Sequence, residues 1–180
     1  MAIGITNDRT VQKRYAKDDY LVMVKETDSD GSPLTSGDGT QWNTIGAIKE
    51  PVLTEVPDEF KDKGASGVVS THEIKVEQNE LSLTLMQRDA ASRKLTTNAL
   101  DKYYQIAIQG ATLGTQTEYH AMWGKIMPGA TYNIGGDGQL SGIKIVTISN
   151  SAAITVTLPT SWTTGSLTLA AGSPWNTNDI

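Results

Sequence analysis

Residues 71–89 read THEIKVEQNELSLTLMQRD, and apolar and polar side chains alternate through two runs of this stretch. Glu73, Lys75, Glu77 and Glu80 stand among the polar positions, and Ile74, Val76, Leu81, Leu83 and Leu85 among the apolar ones. A period of two puts every second side chain on the same face of an extended chain, so the pattern predicts strands at 68–77 and 81–87, joined around Gln78 and Asn79. The same reasoning predicts a strand at 20–25 (YLVMVK). It gives two more within 42–56, broken at Glu50 and Pro51 because a proline cannot donate to a sheet ladder. Further strands are expected at 103–109, 117–127, 142–149, 152–158 and 166–170.

Between these runs the periodicity fails. Residues 26–41 (ETDSDGSPLTSGDGTQ) gather Gly, Asp and Pro without alternation, which predicts a long loop. Loops of this length inside a compact domain usually have work to do or stay disordered. Residues 57–67 (PDEFKDKGASG) are charged and glycine-bearing and read as a second exposed loop. Only 88–102 (RDAASRKLTTNALDK) is rich enough in helix formers to predict a helix, with Asp89 or Ser92 as its cap. Many strands and one helix predict a mainly β domain: two packed antiparallel sheets, sandwich-like or barrel-like, with a short flanking α-helix.

Composition narrows the chemistry. The 180 residues are enough for one domain that buries its own core. There is no cysteine, which removes disulfides, thiolate metal sites and thiol catalysis. A formal charge of -5 offers no basic footprint for gripping nucleic acid. No stretch approaches the roughly 20 apolar residues that span a bilayer, so no membrane insertion is expected.

No catalytic or metal signature emerges. His72 and His120 lie in strand-like runs without HxH or HExxH spacing, which favours structural or surface roles. The calcium-loop resemblance of Asp28 to Gly31 fails at the twelfth position, where Gly39 stands in place of a bidentate glutamate. The run from Gly135 to Gly138 precedes neither Lys-Ser/Thr nor a helix, so it lacks the parts of a phosphate cradle. The polar row on 71–87 has an ordinary explanation as well, because any antiparallel sheet with one face on a core shows polar residues on the other.

Taken in order, the chain runs strand, long Gly/Asp loop, strand, LTEVPDEFKDKGASG, two strands ending in LSLTLMQRD, a short helix, YYQIAIQG, then MWGKIMPG and alternating strands. Over roughly 20–158 this resembles the tail tube (major tail) proteins of tailed bacteriophages, which are related to the tube proteins of contractile injection systems. The local resemblances are the proline-and-charge loop before a glycine, the ELSLTLMQRDAASRKL junction and a GKI-P run. What the resemblance implies is a non-enzymatic virion protein, assembled in the host cytoplasm. Six copies would form a ring, and stacked rings would form the conduit for DNA ejection.

Several residue roles follow from that resemblance. Glu73, Lys75, Glu77, Glu80, Ser82, Thr84, Gln105 and Gln109 would face the lumen, where carboxylates repel phosphate and let DNA slide through transiently. Asp28, Asp30, Pro33, Leu34 and Asp38 of the long loop, with Phe60 and Lys61 of the second, would contact adjacent subunits or rings. Residues 170–180 would be an arm docking on a neighbour or a frayed end. Partners would be copies of the chain, the tape measure, terminator and baseplate or tip proteins, and a sheath if the tail contracts, the non-contractile kind being favoured. No cofactor or metal is expected. Two rivals remain: a β-sandwich binding module, either a decoration domain or a receptor-binding domain with Trp42, Trp123, Trp162 or Trp175 as a glycan platform, and a small hydrolase using His120 with Glu118 or Asp137.

Overall fold

The computed structural model describes residues 20–37, 40–63, 69–85, 101–113, 115–127, 129, 131–132 and 140–179. These residues form ten strands: β1 (Tyr20–Thr27), β2 (Asn43–Lys63), β3 (Val69–Leu85), β4 (Tyr103–Leu113), β5 (Gln116–Met127), β6 (Thr131–Tyr132), β7 (Leu140–Thr147), β8 (Ile154–Thr157), β9 (Ser166–Leu169) and β10 (Trp175–Asp179). The fold is mainly β, as the alternation predicts, with two antiparallel sheets. Residues 86–100, which carry nearly all of the predicted helix, lie outside the described ones; Asp101 at its end occupies a turn with φ of 62°.

The large sheet runs β10-β5-β4-β1-β2-β3-β7-β6, and β7 also pairs with β5, from Gly124 opposite Thr147 to Met127 opposite Lys144. That extra pairing closes β5, β4, β1, β2, β3 and β7 into a six-stranded antiparallel barrel, which removes most open edges. β10 takes the half of the β5 edge that β7 leaves, placing Trp175 opposite Met122 and Asp179 opposite Glu118. The handover falls at Trp123, whose carbonyl accepts from Ile148 N–H and whose N–H donates to Pro174.

Alternation sorts the side chains into two cores. Val22 and Val24 of β1, Tyr104, Ile106 and Ile108 of β4, Met122 and Ile126 of β5, and Ile143 and Ile145 of β7 fill the barrel with Ile48, Leu81 and Leu83. The opposite faces of β4 and β5 present Ala107, Tyr119, Ala121 and Trp123, and the β8–β9 hairpin covers them with Ile154, Val156, Leu158, Leu167 and Leu169. Burying each such large apolar side chain stabilises the fold by about 1.5–3 kcal/mol before conformational entropy is counted.

Four boundaries differ from the sequence reading. β2 does not break at Glu50 and Pro51: the register slips between Lys49 and Val52, so the proline sits in a bulge where no ladder hydrogen bond is required. The predicted loop at 57–67 is strand as far as Lys63, and Gln78 and Asn79 are paired with Val56 and Glu55 instead of turning. The C-terminal segment, expected as a docking arm or a frayed end, lies from Trp175 to Asp179 as β10 against its own β5.

Candidate functional site

β2 and β3 run on together well past the barrel. β7 pairs with β3 only from Glu80 to Leu85, and β1 pairs with β2 only from Asn43 to Ile48. Beyond those points Val56 to Lys63 and Val69 to Gln78 pair with each other and, among the described residues, with no other strand. Among the described residues both outer edges of this ribbon are therefore open. An isolated two-stranded ribbon is marginally stable in water, and open edges are templates for pairing with another chain.

The ribbon's register bears directly on the candidate lumen residues. Gln78 is opposite Val56 and Val76 opposite Pro57, so Glu77 is passed over in a bulge that reverses the alternation of β3. Glu73 and Lys75, opposite Phe60 and Asp58, thereby fall in register with Glu80 and Ser82, opposite Thr54 and Val52. One strand face of β3 carries both parts of the predicted row, with Thr84 continuing it and Glu77 at the bulge. At the foot of the ribbon Glu80 accepts from Gln78 (3.1 Å) and from Lys144 (3.1 Å), while Ser82 and Thr84 are half-buried.

The two glutamines do not join that row. Gln105 is 1% exposed and lies on the outer face of β4, where its amide donates to the Gly31 carbonyl at 3.1 Å. A side chain sealed inside its own subunit cannot line a lumen, and Gln105 is removed from that set. Gln109 is half-buried on the same β4 face, opposite Tyr119 of β5 and Leu21 of β1.

The long loop is stitched to its own chain. Gly31, at φ 86°, sits where a β-carbon would overlap Ile154, so this position requires glycine on both counts. Trp123 Nε1 donates to Thr27 Oγ1 at 3.1 Å, and Trp42 Nε1 donates to the Thr157 carbonyl at 3.1 Å. Asp28, Asp30 and Pro33 remain exposed and Leu34 half-buried; Asp38 lies outside the described residues. Asp30 accepts from Ser32 N–H at 2.8 Å, and the Ser32 hydrogen bonds hold its carboxyl below the usual carboxylate value. Phe60 and Lys61 belong to the ribbon, not to a loop, and Lys61 pairs with Glu59.

A second feature is the mouth of the barrel. A hollow of about 240 Å³ opens between Pro51 and Leu53 of β2, Leu81 of β3, Ile108 of β4, Glu118, His120 and Met122 of β5, and Trp175 of β10. His120 stacks on Trp175 with ring centres 5.8 Å apart, its Nδ1 is 2.8 Å from Thr177 Oγ1, and its Nε2 is 3.5 Å from Glu118 Oε1. The structure thus brings His120 and Glu118 of the hydrolase reading together beside β10, and Asp137 lies outside the described residues. Of the four tryptophans Trp123 is buried, and Trp42, Trp162 and Trp175 are half-buried, each with one side packed against a core.

The sequence reading missed this mouth because WNTND is too polar to read as a strand, although the alternation of Trp175 with Thr177 was a signal for one. No protein-family model matches the chain, and no curated protein is significantly similar to it.

Proposed function

We propose that the chain is a structural subunit of a phage tail tube, which pairs with copies of itself into closed, six-membered rings that stack into a conduit for DNA. The observation that carries this reading is the β2–β3 ribbon, whose two outer edges pair with no other strand among the described residues. Its β2 edge and β3 edge are different, so a neighbour's β3 edge can extend the β2 edge antiparallel, and the next copy can repeat the contact. Such a head-to-tail contact either closes into a ring or runs on as a filament. Strand addition of this kind draws its affinity from main-chain hydrogen bonds, which salt screens little.

The charge pattern supports the same reading. Glu73 and Glu80 share one strand face of β3, and a ring of six would carry six times the formal charge of -5. A wall of that sign repels phosphate and holds no DNA.

Shortening the ribbon tests the proposal. Replacing residues 57–77 by Asn-Gly joins Val56 to Gln78 through a two-residue hairpin turn and leaves the barrel strands intact. The shortened chain is expected to melt as a folded barrel and sediment as a monomer while the full chain sediments as rings. Rings from the shortened chain would overturn the proposal.

A further inference from the structure

β1 and β2 run antiparallel, and among the described residues their pairing stops at Tyr20 opposite Ile48. β2 continues from there to Lys63. The residues that precede β1 in the sequence therefore leave it in the direction in which the unpaired β2 edge runs on. Residues 1–19 lie outside the described ones, and they match that edge in length, since extended strands rise alike at about 3.3 Å per residue.

The two stretches carry opposite charge. Residues 9–17 (RTVQKRYAK) hold Arg9, Lys13, Arg14 and Lys17 and no carboxylate. Residues 50–62 hold Glu50, Glu55, Asp58, Glu59 and Asp62 against one lysine, Lys61, and β3 adds Glu73, Glu77 and Glu80 against Lys75. Continuing the register of Leu21 with Ala47 and Tyr20 with Ile48 sets Asp19 opposite Lys49, Lys13 opposite Glu55 and Arg9 opposite Glu59. Asp18 opposite Glu50 is the one like-charged pair in this count. Allowing one residue for the bulge beside Pro51 sets Arg14 opposite Glu55 instead, so a cation meets that carboxylate either way. Glu55 is exposed and makes no ion pair among the described residues, and Val52 on the same strand is 54% exposed.

We propose that residues 9–19 continue β1 as a strand along this edge of β2 in the same copy. The main-chain pairing is intramolecular, so it bears no cost of bringing two molecules together. Pro51 and Pro57 donate no N–H, which makes the pairing weaker than an unbroken ladder and open to displacement. Its consequence for assembly rests on the ring reading: a neighbour's β3 edge takes the same β2 edge, so the segment competes with the neighbour and restrains lone copies from joining.

The test compares the full chain with one lacking residues 1–17, both diluted until light scattering shows monomers. Amide hydrogen exchange across residues 52–60 is expected to quicken about tenfold or more in the shortened chain, with β4 and β5 unchanged. Lys13→Glu with Arg14→Glu keeps the length and is expected to quicken the same amides, and Glu55→Lys added to that pair to restore part of the protection. Equal exchange across 52–60 in the full and shortened chains overturns the pairing. The shortened chain is further expected to form rings at a concentration lower by about threefold or more. Faster exchange with an unchanged ring threshold leaves the pairing standing and counts against the ring contact at β2. Absence of rings from both chains counts against the ring reading, on which the exchange measurement does not depend.

Discussion

Gly124 of β5 lies so close to Val146 of β7 that a β-carbon on it would overlap the Val146 carbonyl oxygen. The approach occurs where the two strands meet to close the barrel, at the pairing of Gly124 with Thr147. The overlapped atom is backbone and has little freedom to move aside. Gly124→Ala is therefore expected to lower stability by about 2 kcal/mol, read from urea unfolding, with the loss arising from displaced pairing between β5 and β7. Stability equal to that of the unaltered protein would show that the closure is looser than described.

Tyr104 carries its hydroxyl into the barrel core, where it has no hydrogen-bond partner among the described residues. Tyr104→Phe removes that uncompensated group at almost constant shape and is expected to raise stability by about 1 kcal/mol.

The same tyrosine makes a pH prediction. Burial, and then the charge of Glu26, push its ionisation above the ordinary tyrosine value. Above about pH 10 the unfolded chain releases this proton and the folded chain keeps it, so stability falls as pH rises through that region. Unfolding curves from pH 8 to 11 should show the fall in the unaltered protein and a shallower one in Tyr104→Phe.

Thr27 and Trp123 tie β1 to β5 through a buried hydrogen bond of 3.1 Å. Thr27→Val keeps the shape but leaves the indole N–H without an acceptor, at an expected cost of about 1–2 kcal/mol. Thr27→Ser should restore most of it in thermal melts, which separates the hydrogen bond from the packing.

Gln105 and Gln109 should respond differently to the same charge. Gln105→Glu sets a buried carboxylate against the Gly31 carbonyl and is expected to cost about 3 kcal/mol, whereas half-buried Gln109→Glu should change stability by less than about 1 kcal/mol. Equal effects would contradict the placement of these two side chains.

Alternation located β1, β4, β5, β7, β8 and β9 to within a few residues, because each has one face on a core. It misjudged β2 and β3 at Pro51, Pro57 and Gln78, where turn-forming residues suggested breaks. The first two lie beside register shifts, and bulges absorb prolines without ending a strand. The row from Glu73 to Thr84 was legible as two alternations out of phase. What the sequence did not reveal was that a bulge at Glu77, not a turn at Gln78 and Asn79, brings them together. The resemblance implied a lumen-facing Gln105; the distant loop at Gly31, packed on Ile154 of the β8–β9 hairpin, buries it instead, and no local pattern announces that. Trp175 and His120 lie 55 residues apart in the sequence, and their stacking at the barrel mouth has no local signature.

The most direct measurement on the central claim is negative-stain electron microscopy of the purified full-length chain, with light scattering on the same samples across a range of concentrations. The account predicts rings with a central channel, lengthening into hollow tubes as concentration rises and persisting in high salt. A uniform monomer at every concentration would contradict it and leave the open edges of the β2–β3 ribbon without the partner proposed here.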